Sequence, residues 1–374
     1  MNTSDQPQAN QNEAVAAAQA AVMGINARGG IKGHPLVMDY CNNKFDPNQS
    51  VACARQAADG DYVAVTGGWY LPGDAGAVPI ESAANIANVG MVPVALVDVQ
   101  APNWFPVEGG VYAGYPGIAS LIKKYHPEVK KVAIASTDTS AATNSVNLTI
   151  QGIDFADLQY TSNVKIPFTA TDYAPYAAAL KSDGADAVII VLSGEGGVAL
   201  LKAMTQIGFT PLVSGPSSVY NSKDLAAVGP IATNGLWEGF TVPEGQKDNP
   251  GIARMYKELA AAEKSGVKDS SASEVTGYSI NAWLGMQLFE KVANGIQGDV
   301  TRASVLEAMK NAKNVDLDGV VPAYSAPPGP DPAVPRVVND QVYGYKLVNG
   351  EMQLVEPNEQ PIRILQQGFR NQAG

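Results

Sequence analysis

Two cysteines, Cys41 and Cys53, and two histidines, His34 and His126, are all the thiols and imidazoles in this chain. The cysteines stand twelve positions apart, one at the end of an extended run and one inside the following helical pattern. No CxxC or HxxxH frames them, so a metal site is disfavoured; a disulfide is the first reading and a pair of buried thiols the second. A bridge over so short a loop contributes roughly 2–3 kcal/mol and implies an oxidising compartment. His34 sits beside Pro35 and His126 before Pro127. Both read as surface turn residues, not general bases. A Walker loop, an HExxH and a GxSxG are absent, and the SGEGG at 193–197 lacks the third glycine of a dinucleotide fingerprint. Catalysis is therefore not expected, and neither is a cofactor or a metal.

What remains is a set of five polar turns, each after an apolar run. They are Gly67–Leu71, Val99–Trp104, Asp138–Ala142, Ser193–Gly196 and Ser217–Tyr220. In open α/β sheets, ligands bind beyond the carboxyl ends of the strands, where free N–H groups at helix N-termini favour anions. The candidate ligand residues are Trp69, Tyr70, Gln100, Thr139, Ser140, Ser193, Glu195, Ser217 and Tyr220. Each has a plainer alternative: the aromatics can pack beneath their loops, Thr139 and Ser140 can cap a helix, and Glu195 can offset a helix dipole.

These turns need a scaffold, and Glu13–Ala58 sets its rhythm. Val15, Ala18, Val22 and Ile25 form one apolar stripe of a helix, stopped by Gly29-Gly30. Leu36, Met38 and Tyr40 alternate as in a strand. Asp46 can cap a second helix with Pro47 in its first turn, and Tyr62–Thr66 reads as the next strand. Helix, strand, helix, strand is the order of a parallel sheet covered by helices. The series continues with a helix over 77–88, a strand over 91–98, a helix over 117–125 and a strand over 131–136. A helix follows around Val146–Ile153, then a strand over 158–167 and a helix capped by Asp172. After these come strands at 187–192, 211–214 and 236–242, and helices at 198–207, 250–264, 273–293 and 301–312. A proline-rich stretch, 323–338, precedes a hairpin around Asn349-Gly350.

The chain has 374 residues, enough for two domains. With 45% hydrophobic and 16% charged residues it is of globular composition, and a net charge of −11 argues against nucleic acid or an anionic membrane as partner. No apolar run reaches the roughly 18 residues of a membrane span.

The words Ile25–Leu36 (INARGGIKGHPL), then a strand, then Cys41, Asp46-Pro47 and Cys53 before a helix, resemble the type I periplasmic binding proteins. The branch they resemble most is the leucine/isoleucine/valine-binding family of ABC transporters. The resemblance implies an α/β fold of two doubly wound parallel-sheet lobes joined by a three-segment hinge. One lobe would be 1–112 with 243–322 and the other 113–242 with 323–374, with crossings near Tyr112, Val242 and Pro322. It also implies a monomeric extracytoplasmic protein that closes on a small polar organic ligand (an amino acid, an amide or an aromatic acid) and meets a membrane permease. A ligand-sensing regulator of the same fold is the alternative, and a nucleotide-dependent enzyme a distant third.

The chain departs from that family in places. Trp69 and Tyr70 replace small hydroxyl residues, and Gln100 stands where amino-acid binders have a threonine. Thr139 and Ser140 stand where an aromatic is common. Ser217 occupies the position of the glutamate that pairs with an α-ammonium, so an amino acid would need Glu195 or Asp98 instead; an unpaired buried ammonium costs several kcal/mol. Met1–Asn12 is polar where the family has a strand, and no signal segment is seen.

Overall fold

A computed structural model describes Ser4 and residues 10–371, with all of their side chains except those of Ser140 and Ala141. In chain order the first elements are α1 (Asn12–Ala27), α2 (Pro47–Asp59), β1 (Ala64–Thr66), α3 (Asp74–Ala83), β2 (Ala87–Val89), α4 (Leu96–Gln100) and β3 (Trp104–Phe105). Then come α5 (Val111–Tyr125), β4 (Lys131–Thr137), α6 (Ser140–Phe155), β5 (Gln159–Ile166), α7 (Ala174–Asp183), β6 (Ala187–Val191), α8 (Gly194–Gln206) and β7 (Leu212–Pro216). The last are α9 (Ser222–Val228), α10 (Pro230–Thr233), β8 (Leu236–Gly239), α11 (Pro250–Lys264), α12 (Gly277–Asn294), α13 (Arg302–Lys310), β9 (Gln341–Val348), β10 (Glu351–Leu354) and β11 (Ile362–Arg363). The result is a mixed α/β fold with parallel-dominated sheets. Two compact units divide it: unit 1 holds residues 1–110, 246–339 and 371–374, and unit 2 holds 111–245 and 340–370.

Unit 1 is built on the parallel sheet β1-β2-β3, with Ala64 opposite Ala87 and Asn88 opposite Trp104. Its helices form where the local signals are strong. The Asp46 carboxylate accepts from the N–H groups of Asn48 and Gln49 (2.8 and 2.9 Å), and Pro47 opens α2. α1 forms as expected, but its buried face is Ala14, Ala16–Ala18, Ala20, Ala21 and Ile25, while Val15 and Val22 are only half-buried. Alanines let α1 lie close on α12. β2 meets α12 the same way: Gly90 (φ 75°) lies so near Gly285 that a Cβ would stand 2.4 Å from its Cα. The core here gathers Val65, Tyr70, Ala77, Val78, Ile86, Met91 and Trp104.

Two expected strands of unit 1 do not form. Leu36–Tyr40 is extended but joins no ladder among the described residues, and Val37 is 81% exposed. The strand expected at 91–98 lies earlier, at β2. Pro93 has no N–H to give a ladder, and the Asp98 carboxylate accepts from the N–H groups of Val94 and Ala95, both at 2.8 Å, which starts α4 instead.

Unit 2 carries the larger sheet, in the order β10-β9-β8-β7-β6-β4-β5, with β11 also on β9. β5, β4, β6, β7 and β8 are parallel, with Val132 opposite both Tyr160 and Ala187; β9 runs antiparallel to β8. The hairpin β9–β10 turns at Asn349 and Gly350, whose φ of 52° and 79° suit a type I′ turn. Its central strands are buried on both faces and read as continuous apolar runs, such as Ala187–Val191.

The expected crossing near Pro322 falls instead between 339 and 340. The proline-rich stretch is part of unit 1 because Arg336 ties it there. Its guanidinium donates to the carbonyls of Trp104 and Pro102, both at 2.8 Å, and its charge lies 4.9 Å from the centre of the Phe105 ring.

Candidate functional site

Parallel strands put their carboxyl ends on one side, so each unit gathers its own set of turns. In unit 2, β4 leads through α6 to β5 on one flank, whereas β6 leads through α8 to β7 on the other. The strand order reverses between β4 and β6, which is the topological switch point where open sheets bind ligands. Thr139 and Ser193 stand at it. Thr139 is the N-cap of α6, its hydroxyl accepting from the Ala142 N–H at 3.3 Å; Ser193 caps α8, accepting from the Gly196 N–H at 3.3 Å. The Thr139 cap was foreseen and the Ser193 cap was not, and both leave helix N-termini facing the switch point. Glu195 is exposed in the first turn of α8. Ser217 follows β7 and is 8% exposed. The Ser140 side chain lies outside the described residues.

Tyr220 is not a wall residue of unit 2. It is 2% exposed, stacks edge-on to Trp237 at 5.1 Å and belongs to the core. Its ring presses on α8 at Gly197, where a Cβ would fall 2.3 Å from the tyrosine hydroxyl oxygen. That hydroxyl is buried without a partner among the described residues.

In unit 1 the matching edge holds the turns after β1, β2 and β3. Val92 N–H donates to Gly68 O (2.9 Å) and Gly90 N–H to Phe105 O (2.9 Å), which locks the three turns to one another. Trp69 lies there half-buried, edge-on to Tyr278 at 5.0 Å, and its indole N–H is buried with no acceptor among the described residues. Tyr70, the next residue, points the other way: it is 0% exposed, 6.1 Å from Trp104, and its hydroxyl donates to Glu81. Gln100 is exposed at the end of α4, on the chain's way back to the start of β3, so the 99–104 turn is not a carboxyl-end turn at all.

Unit 1 also buries carboxyls that no motif announced. Asp74 and Asp98 lie close to each other at the N-termini of α3 and α4; burial raises both, Asp74 to about 6, and the neighbouring Asp74 raises Asp98 further. Asp98 is thus spoken for and is no partner for a ligand ammonium. Glu108, just past β3, is pushed up to about 8 by burial, and Glu81 likewise to about 8. Cys41 and Cys53 form a disulfide with Cα atoms 5.8 Å apart. Tyr278 went unseen because the start of α12 depends on Thr276, whose hydroxyl accepts from the Ser279 N–H (3.4 Å), four residues beyond the expected start.

Comparison with known proteins agrees with this architecture. A solute-binding protein of an ABC transporter from R. palustris, solved with 4-hydroxybenzoate, is 20% identical over 94% of this chain and 92% of its own, with a TM-score of 0.75. A possible leucine/isoleucine/valine-binding protein from Rhodopirellula baltica SH 1 is 13% identical over 95% and 94%, with a TM-score of 0.79. A fatty acid ABC transporter substrate-binding protein from Thermomonospora curvata is 17% identical over 96% and 89%, with a TM-score of 0.74. At these identities the likeness is one of fold. No curated protein sequence matches the chain. The model of the periplasmic binding protein family matches residues 3–330, and on that match, with the resemblance of its first helix and turn, the chain belongs to the type I periplasmic binding proteins.

Proposed function

We propose that this chain is the solute-binding protein of an ABC importer, working outside the cytoplasm, and that its ligand is a small organic carboxylate with an apolar, preferably aromatic, body. It delivers that ligand unchanged to a membrane permease. The family match supports the first part. The disulfide fits an oxidising compartment.

The ligand class rests on the carboxyl edge of the unit 2 sheet. There the N-termini of α6 and α8, with Thr139 and Ser193, flank the switch point, and Ser217 stands where a carboxylate would be needed to hold an ammonium. Such an edge favours an anion. Trp69 and Tyr278, edge-on to each other and half-buried, give unit 1 an aromatic surface. Solute-binding proteins of the same fold were solved with 4-hydroxybenzoate and with benzoate. An α-amino acid is the weaker reading, since Asp98 is closed off and only the exposed Glu195 could meet its ammonium.

Titration calorimetry with benzoate, 4-hydroxybenzoate, benzamide, leucine, isoleucine and valine tests this. Acids should bind, benzamide at least tenfold more weakly, and Trp69→Ala should weaken the acid at least tenfold. Preference for the branched amino acids, or equal binding of benzamide and benzoate, would refute the carboxylate reading.

A further inference from the structure

We propose that Tyr173 is a specificity-determining residue of unit 2: its hydroxyl, with that of Tyr220, completes a cradle for one carboxylate at the glycine-rich first turn of α8. The cradle rests on the carboxylate reading above and gives the head group its place and its donors.

α8 opens with Gly194, Glu195, Gly196 and Gly197. None of these glycines has a positive φ, so space and not backbone shape calls for them. A Cβ on Gly194 would stand 2.3 Å from the Val219 carbonyl oxygen, and one on Gly197 2.3 Å from the Tyr220 hydroxyl oxygen. A Cβ on Gly196 would meet two hydroxyl oxygens, Ser193 Oγ at 3.2 Å and Tyr173 Oη at 3.3 Å. Hydroxyls from three separate turns therefore surround one bare helical turn. Tyr173 stands before α7, Ser193 follows β6 and Tyr220 follows β7.

The donors at this turn are unspent. Gly197 N–H donates to Ser193 O (2.8 Å) and Gly196 N–H to Ser193 Oγ (3.3 Å), while the N–H groups of Gly194 and Glu195 have no acceptor among the described residues. The ring of Tyr220 is core, but its hydroxyl reaches the turn, buried and without a partner among the described residues. Such a hydroxyl costs stability until something meets it. Tyr173 is half-buried, edge-on to Tyr176 at 6.4 Å, and its hydroxyl makes no hydrogen bond among the described residues. Burial, with Tyr176 and Glu195 nearby, holds its proton more firmly than in an ordinary phenol, so it stays a donor. An ionised carboxylate accepts about four hydrogen bonds, which two amides and two phenols supply, and the helix dipole favours its charge. Glu195 is exposed, so solvent screens its opposing charge.

The test uses the full chain labelled with [15N]glycine and titrated with acetate, the smallest probe of the cradle, and then with benzoate. Both should move the amide signals of Gly194, Gly196 and Gly197 saturably, and acetamide should move none. Tyr173→Phe keeps the ring and should weaken benzoate at least tenfold by calorimetry. Tyr220→Phe should weaken it likewise, yet raise the urea midpoint of the empty chain because an unmet buried hydroxyl is gone. Acetate moving these signals where benzoate fails to bind would uphold the cradle and refute the aromatic body. Benzoate binding with the three signals unmoved and Tyr173→Phe without effect would overturn the cradle and spare the reading above. Silence of the three signals to both acids would also overturn it, as would a lowered urea midpoint with unchanged affinity in Tyr220→Phe, the mark of a hydroxyl served by buried water.

Discussion

Glu81 offers a severe check on the interior of unit 1. It is 0% exposed in α3, with the Tyr70 hydroxyl donating to one carboxyl oxygen and the Asn88 amide to the other at 3.2 Å. Burial pushes it up to about 8 from 4.5, and the hydrogen bond from Asn88 only partly opposes this. The folded protein therefore keeps a proton that the unfolded chain has released. This stability is fully present below pH 4.5 and is lost as pH rises through 8. The interval from 4.5 to 8 at about 1.4 kcal/mol per pH unit sets a ceiling of about 5 kcal/mol, and relaxation around a buried charge brings the expected loss to roughly 2–3 kcal/mol. Glu81→Gln keeps an acceptor for Tyr70 and carries no charge at any pH. Urea unfolding, followed by tryptophan fluorescence between pH 5 and 8.5, should show the native chain losing roughly 2–3 kcal/mol more than the variant. Glu13 and Glu108, raised to about 7 and 8, tilt both curves the same way and cancel in the difference. Parallel curves would mean that Glu81 ionises freely and that the burial argument fails.

Two further outcomes follow from unit 1. The Arg302 guanidinium donates to the carbonyls of Ala57, Ala58, Gly60 and Tyr62 at 2.6–3.2 Å, closing the end of α2. Arg302→Lys loses the planar fork and should cost about 2–3 kcal/mol by the same unfolding assay; a change under half a kcal/mol would show the fork idle. Replacing both Cys41 and Cys53 by serine should cost roughly 2–3 kcal/mol, and reductant should lower the native chain by a like amount while leaving the variant alone; an effect of reductant on both would contradict it.

Much of the framework was legible because local signals agreed with the packing. Asp46-Pro47 capped α2, Asn349-Gly350 turned the last hairpin, and Gly67-Gly68, with φ of 67° and 82°, ended β1. Ser193 was seen at its turn, and Thr139 was named with its capping alternative. The failures were those of direction and neighbourhood. Tyr70 and Tyr220 look like ligand aromatics by position, yet each turns inward to a tryptophan. Nothing in the local pattern says which way a turn residue faces. Gln100 was misplaced because one carboxylate, Asp98, captures two amides and makes a helix from an apolar run. Leu36–Tyr40 has a strand's alternation, but a strand also needs a partner, and pairing is not a property of the segment alone. The Asp74–Asp98 pair spans residues 24 positions apart and has no spacing to reveal it.

Retention of ligand decides the central claim. The full chain is equilibrated with an equimolar mixture of aromatic acids, short fatty acids, amides and amino acids, freed of unbound solute by rapid desalting, then denatured, and the released molecules are weighed by mass spectrometry. Binding without chemistry requires about one equivalent of a single carboxylic acid, recovered with its mass unaltered and the mixture otherwise unchanged. Retention of no component, or the appearance of any new mass in proportion to protein and time, would contradict it.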